Sequence, residues 1–284
     1  MHRKNCEIHH SRDAYEKYAA AMKHLRQPVG MHHHVFYEIY FFLSGDLDYQ
    51  IESRIYHMRP GNLLLIRPSE MHQPIFVPAK GFYERIVLWL EPEYLQELSL
   101  SNEDLTACFQ ASEEHPNNLI CLNVQKKEML LNYMDHLVEV EKENGPYAKT
   151  QENAYVSLIL SMINEAAFAD THASSSSMAE YFSPYTAEAV KYIALHLNQP
   201  LSTAQLASKL SISVQYLLKV FRADMGITIH QYIVQKRILT AHQYMGEGMS
   251  SSHAAERCGF DNYTTFWREY KKEYGVPPGK HTHV

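Results

Sequence analysis

A chain of 284 residues, 45% hydrophobic and 20% charged, has the balance of one large globular domain or two ordinary ones, which excludes a disordered or fibrous polymer. Its net charge of −6 excludes a chain that is basic throughout, and its longest apolar stretches are too short to span a bilayer. The basic start, Met1 to Cys6, leads into no apolar run, so it does not read as a secretory signal, and the expected place for the protein is the cytoplasm.

In chain order, Val35–Leu43 is rich in aromatic and β-branched residues and predicts a strand, with Ser44, Gly45 and Asp46 as the turn after it. Further strands are predicted at Leu47–Ile51, Arg54–Met58, Leu63–Ile66 and Arg85–Leu90, with a second turn at Arg59–Asn62. Short strands at this spacing predict a sandwich or barrel over about residues 25–95. From 126 to 168 the period changes. Met129, Leu130, Tyr133, Leu137 and Val140 recur three or four residues apart, as do Tyr155, Leu158, Ile159, Met162 and Ile163. This predicts two amphipathic helices broken at Gly145–Pro146. Packing on the barrel is their default role, and a homodimer interface is the alternative.

The small, polar run His172–Met178 reads as a linker. Beyond it helices are predicted at 186–198, 203–210, 214–225, 228–246, 251–258 and 262–274, with Ser202 or Thr203, Ser213 and Asp261 as N-caps and Gly226, Gly259 and Gly275 as stops. Charge changes at the same place. From Pro184 onward there are eleven Lys/Arg against seven Asp/Glu, a net +4, and the rest of the chain carries −10. A basic module for nucleic acid beside an acidic module for something else fits that split. Cys6, Cys108, Cys121 and Cys258 are scattered and form no CxxC pair, which predicts reduced structural thiols.

The helical region contains a repeat. Leu206-Ala207 with Leu210, Leu217, Lys219, Phe221 and Gly226 is matched by Ala254-Ala255 with Cys258, Phe266, Arg268, Tyr270 and Gly275. The offset is 48 at the alanines and 49 afterwards, which predicts one extra residue at the start of the second long helix. Each copy is a short helix, a tight turn and a longer helix, with a small residue where the longer helix must come close. Such a unit is a helix-turn-helix, and its second helix can enter the DNA major groove. If the helix at 228–246 sets the two units about 34 Å apart on one face, one chain reads two successive grooves.

Residues 184–281 resemble the DNA-binding domain of the AraC/XylS family of transcription regulators. The run Ala254-Ala255-Glu256-Arg257-Cys258-Gly259-Phe260, then Phe266, then Tyr270 to Pro278, carries the likeness. Tyr270 departs from the family, which usually has Phe there; its ring is expected in the core with its hydroxyl at an edge. With Leu217, Val220 and Phe221 turned inward, helical geometry leaves Ser213, Gln215, Leu218, Lys219 and Arg222 on the open face of the first long helix. In the second, Phe266 and Tyr270 turn inward and leave Asn262, Tyr263, Thr264, Trp267, Arg268 and Lys271 for DNA. The resemblance points to the same positions. Gln215 suits adenine, Arg268 suits guanine or a phosphate, and Leu218 and Trp267 suit thymine methyls or the backbone. The plainer reading makes each of them a solvated surface residue.

In the N-terminal part, His32-x-His34-x3-Glu38-x6-Gly45 resembles the first cupin motif. Pro60-Gly61-Asn62 and Pro68-Ser69-Glu70-Met71-His72 resemble the segment that supplies the cupin's last histidine, with departures in spacing and at a glycine. On a strand, His32, His34, Glu38, Tyr40 and Phe42 share one face. Three imidazoles and a carboxylate suit a divalent transition metal, so His32, His34, Glu38 and His72 form a candidate metal set. The same residues also suit a metal-free effector pocket lined by Phe36, Tyr37, Tyr40 and Phe42, or purely structural roles. A cupin metalloenzyme, such as a dioxygenase or sugar isomerase, is the rival function class, but a double helix-turn-helix has no use there and no catalytic residue is expected. His9, His10, His281 and His283 read as surface histidines.

The expected fold is α+β and multidomain: a cupin-like β-barrel with flanking helices over 1–171, a linker at 172–184, and an all-α domain with two helix-turn-helix units over 185–284. The resemblance implies a regulator that binds double-stranded promoter DNA and a small-molecule effector, a sugar or related metabolite. RNA polymerase is a further candidate partner, and a membrane is not.

Overall fold

A computed structural model describes residues 5–14, 31–76, 82–99, 103–110, 118–170, 180–181 and 183–279. Residues 25–30 of the expected barrel, most of the expected linker, and His281 and His283 lie outside them. The chain divides into two compact units, with the division between Ala179 and Glu180.

The first unit holds strands β1 (Cys6–Ala14), β2 (Tyr37–Ser44), β3 (Leu47–Ile51), β4 (Arg54–His57), β5 (Asn62–Ile66), β6 (His72–Phe76), β7 (Phe82–Leu90) and β8 (Leu119–Cys121). Helix α1 (Pro92–Leu98) follows β7, and α2 (Val124–Glu143) and α3 (Ala148–Asp170) follow β8. One antiparallel sheet runs β1-β7-β2-β5-β8, and a second carries β6, β3 and β4 in that order. Among the described residues the strands therefore lie in two sheets rather than one closed ring, which refines the barrel expectation.

The first sheet is buried on both faces. Strand β2 shows why its sequence is so apolar. Its even positions Tyr40 and Phe42 meet Tyr49, Ile51 and Tyr56 of the second sheet in one cluster. Its odd positions Ile39 and Phe41 join Leu63, Leu65, Ile86 and Leu88 against Leu130, Met134, Leu137, Val156 and Ile159 of α2 and α3. Alternation on a pleated strand sends neighbours to opposite faces, so a strand with two covers reads as a continuous apolar run. Tyr37 belongs to the helix side, its ring 4.6 Å from that of Phe109, and not to the pocket lining expected for it. The two helices part at Asn144, which takes the left-handed conformation (φ 45°) just before the expected break at Gly145–Pro146.

The second unit consists of α4 (Pro184–Leu195), α5 (Thr203–Lys209), α6 (Val214–Met225), α7 (Ile229–Gly246), α8 (Ser251–Arg257) and α9 (Tyr263–Tyr274). Its helix starts are written in side chains. Ser202 and Thr228 form capping boxes with Gln205 and Gln231, and Ser213 accepts from the Tyr216 amide. Such caps stabilise a helix by about 1 kcal/mol each. The cap of α9 is Asn262, not Asp261: its side chain accepts from the Thr264 amide. The extra residue of the second repeat thus sits in the turn before the cap, between Gly259 and Asn262, rather than inside the helix.

The two repeats fold alike. Helices α5 and α8 have seven residues each, and α6 and α9 have twelve. In the turns, the Ile212 amide donates to Ala207 O and the Phe260 amide to Ala255 O, both at 3.0 Å. Ala207 and Ala255 are buried, as their small size at the helix crossing requires. Helix α7 lies between the repeats, and its Arg237 donates to Leu197 O (3.0 Å) and Gln199 O (2.7 Å), tying it to the end of α4. Among the described residues no helix is long and apolar enough to cross a membrane.

Candidate functional site

Two places carry the sequence-derived candidates. In the second unit, α6 and α9 each have one apolar face. Leu217, Phe221 and Met225 are buried under α6, and Phe266 and Tyr270 under α9, while Val220 is half-buried. The opposite faces are open. Ser213, Gln215, Leu218, Lys219 and Arg222 are exposed on α6, and Asn262, Tyr263, Thr264, Trp267, Arg268 and Lys271 on α9.

Several of these residues also do local work. Asn262 caps its helix, and the Tyr263 hydroxyl is 2.9 Å from Ser251 Oγ, fixing the start of α9 against α8. Lys271 Nζ lies 5.1 Å from the Trp267 ring centre, so a cation sits over an exposed indole. Exposed apolar groups such as Leu218 and Trp267, set beside Lys219, Arg222, Arg268 and Lys271, suit a surface that meets both bases and phosphates. Tyr216, exposed beside them, was not among the sequence candidates.

One expectation fails here. The Tyr270 hydroxyl is not at an edge: the residue is fully buried, and its oxygen is 2.7 Å from His242 Nδ1. Burial pushes its pKa up to about 12.

In the first unit the histidines do not lie on one strand. Strand β2 begins only at Tyr37, and His32 to Phe36 form an irregular segment. That segment is held by backbone pairing with the loop leading into β6. His32 and His72 exchange amide–carbonyl bonds at 3.0 and 2.8 Å, and the Ser69 amide donates to His34 O at 2.9 Å. Through this pairing His34, Glu38 and His72 come together, each offering a donor atom within 4.8 Å of the others. His32 stands outside that group. It is exposed, with its ring centre 4.2 Å from that of His72.

The three clustered residues are tightly oriented. His34 Nδ1 donates to Phe36 O (2.8 Å), and its Nε2 faces Glu38 Oε2 at 3.0 Å. Trp89 Nε1 donates to the same carboxylate oxygen at 2.9 Å. Burial opposes ionisation of Glu38, but hydrogen bonds from His34 and Trp89 and the nearby imidazoles outweigh it and hold the carboxyl below its usual range. His72 is fully buried, and its Nδ1 donates to Glu70 O at 2.8 Å. Burial pushes its pKa down to about 3, so the ring is neutral at physiological pH, and its Nε2 carries a lone pair with no hydrogen-bond partner among the described residues.

Aromatic rings surround the group. Phe36 stacks on His34 at 3.9 Å, and Tyr49 lies parallel to His72 at 6.2 Å. Tyr40 bonds Tyr83 through their hydroxyls on the same interior face. Phe42 is buried in that cluster. Trp89, Tyr49 and Tyr83 were missed by sequence reasoning. The available signal was alternation in Arg85–Leu90, whose register pairs Trp89 with Glu38.

Comparison with known proteins places both units. Residues 19–160 match the model of the AraC-like ligand binding domain, and residues 206–282 match that of a helix-turn-helix domain. The chain belongs to the AraC family of transcription regulators. It is similar to the HTH-type transcriptional activator RhaR of Salmonella schwarzengrund, 21% identical over 96% of this chain and 93% of that protein. It is also similar to the probable transcriptional regulator LumQ of Photobacterium leiognathi, 33% identical over 32% of this chain and 37% of that one. Among solved structures it resembles the DNA-binding domain of AdpA in complex with a target DNA, at 25% identity over 34% of this chain and 86% of that chain, with a TM-score of 0.32. It also resembles apo ToxT of Vibrio cholerae, at 12% identity over 97% and 96%, with a TM-score of 0.38. This member of the AraC family is a transcription regulator, not an enzyme, with a DNA-binding helix-turn-helix unit and a ligand-binding unit.

Proposed function

We propose that this AraC-family chain binds promoter DNA sequence-specifically through the open faces of α6 and α9, and that a small hydroxylated metabolite, a sugar or a relative of one, controls it from the N-terminal unit. The observation that carries the DNA reading is the two-fold repetition. Each twelve-residue helix has a buried apolar face, and each presents a mixed cationic, amide and apolar surface outward. On α6, Gln215 is the adenine reader and Lys219 and Arg222 the phosphate grips; on α9, Arg268 is the base reader. Arg268→Ala is expected to weaken specific binding by about 1–3 kcal/mol and relax preference at one base pair. A mutant with unchanged affinity and preference would remove Arg268 from the interface, and a uniform loss on all sequences would make it a phosphate contact.

The effector reading rests on the buried combination of acceptors and rings around Glu38, His72, Tyr40, Phe36, Phe42 and His34. Buried polar groups among aromatic faces suit a ligand with several hydroxyls. A thermal-shift screen of the full chain against sugars tests it, because a ligand that binds only the folded state raises Tm by mass action. Ligand binding would act by shifting populations between states of different DNA affinity. We further propose homodimerisation through α2 and α3, whose outer faces leave Met129 and Leu158 exposed. Sedimentation at micromolar concentration showing only monomer would contradict that assembly. A cytoplasmic location and RNA polymerase as a further candidate partner belong to the same reading.

A further inference from the structure

We propose that His34, Glu38 and His72 hold a divalent transition-metal ion, leaving coordination positions open to oxygen donors of the effector. The proposal rests on the reading of this cluster as the ligand site of the N-terminal unit, and it changes what that site recognises.

The geometry points to an ion in three ways. First, the donors are already gathered, each within 4.8 Å of the others. Metal bonds of about 2.0–2.2 Å need donors about 3–4 Å apart, so a small side-chain adjustment closes the set. Second, His72 is fully buried and its Nδ1 proton is committed to Glu70 O, which leaves Nε2 as the ring's free donor atom, with no hydrogen-bond partner among the described residues. A backbone carbonyl that fixes the far nitrogen is the support a metal-bound imidazole needs. Third, both nitrogens of His34 face acceptors, Phe36 O at 2.8 Å and Glu38 Oε2 at 3.0 Å. A cation between Nε2 and the carboxylate satisfies both groups.

The donor set selects the ion. Two imidazoles and one carboxylate suit zinc, nickel or cobalt better than magnesium or calcium, which prefer oxygen alone. Three protein ligands leave at least one position open, the arrangement of sites that bind an exogenous group. With Glu38 ionised, the ion and its ligands carry a net single positive charge. In a buried site that charge favours an effector with a carboxylate or another strong oxygen donor beside its hydroxyls. Second contacts hold the cluster in place. Trp89 donates to Glu38, and the Glu70 carboxylate that anchors the His72 loop receives Arg67 Nη2 at 2.5 Å and Asn118 Nδ2 at 2.9 Å. The motif resemblance would add His32 as a fourth ligand, but the structure leaves it outside.

The test uses the full-length protein, treated with chelator and dialysed free of it, then titrated with Zn²⁺ by calorimetry. One ion per chain is expected, with micromolar or tighter affinity. Glu38→Gln, nearly isosteric, and His34→Ala should each weaken binding about tenfold or more, while His32→Ala should leave it nearly unchanged. Melting curves in chelator confirm that each variant folds, and Glu38→Gln decides the matter if His34→Ala does not. No saturable site, or a site equally tight in Glu38→Gln, overturns the proposal. So does a loss on His32→Ala equal to that in Glu38→Gln. The sugar screen repeated in chelator keeps the two readings apart. A sugar that stabilises chain lacking any metal site removes the ion and keeps the effector. A metal site with no sugar response in either state keeps the ion and removes the sugar.

Discussion

Tyr270 shows what one oxygen changes in a buried helix face. Its ring fills the core under α9 beside Phe266, and its hydroxyl is satisfied by His242 of α7. Replacing it with Phe removes a hydrogen bond and leaves His242 Nδ1 without this partner, so Tyr270→Phe is expected to cost about 0.5–1.5 kcal/mol at neutral pH. The folded pKa, about 12, lies above the unfolded value of about 10. The unfolded state therefore loses its proton first. The stability linked to Tyr270 is complete below pH 10 and is lost as pH rises towards 12. Denaturant unfolding at pH 8, 10 and 11.5 should show a smaller alkaline loss in Tyr270→Phe than in the parent. Equal losses would mean that this hydroxyl ionises as freely folded as unfolded. The ring's burial was legible in the sequence from helical spacing. The fate of its hydroxyl was not, because His242 lies 28 residues away on another helix. The same limit applied to Glu38. Its neighbours His34 and His72 could be proposed from motif spacing, but Trp89 reaches it only through the β2–β7 register.

At the scale of elements, the two helix-turn-helix turns are equivalent but use different residues. Ser211 holds φ 56° in the first, and Gly259 holds φ 81° in the second. A side chain in this region is strained, by about 1–2 kcal/mol, whereas glycine is not. Ser211→Gly is therefore expected to be neutral or stabilising by up to about 1 kcal/mol, the strain relief being offset by extra freedom in the unfolded chain. Gly259→Ala should be destabilising by more than 1 kcal/mol. Its new Cβ would take a left-handed φ and also stand 2.9 Å from both Leu197 O and Arg237 Nη2. Thermal unfolding of the two variants checks the pair, and a Gly259→Ala protein as stable as the parent would contradict the close packing of this turn. The helices were legible because caps, glycine stops and a 3.6-residue period agreed with one another. Strands β1 and β8 were not. Cys6–Ala14 is polar and histidine-rich, and becomes a strand only because it pairs with β7 along its whole length. Leu119–Cys121 is three residues added to the edge of β5. The short helix α1 likewise lacks a side-chain N-cap bond to announce it.

For the whole molecule, the charge division along the chain matches the division of labour. The net +4 from Pro184 onward falls on the DNA-binding unit, and the acidic remainder carries the ligand-binding unit. The proposed binding through Lys219, Arg222, Arg268 and Lys271 predicts an affinity that weakens steeply with added salt, because each phosphate contact releases counterions. Whether the repeated helix faces read DNA sequence is decided by selecting bound duplexes from a randomised pool with the full-length protein. The expected result is enrichment of a motif with two short elements about one helical turn apart, with Arg268→Ala losing preference in only one of them. Recovery of no preferred sequence, or of a motif identical in Arg268→Ala and in a Gln215→Ala, Arg222→Ala double variant, would contradict it.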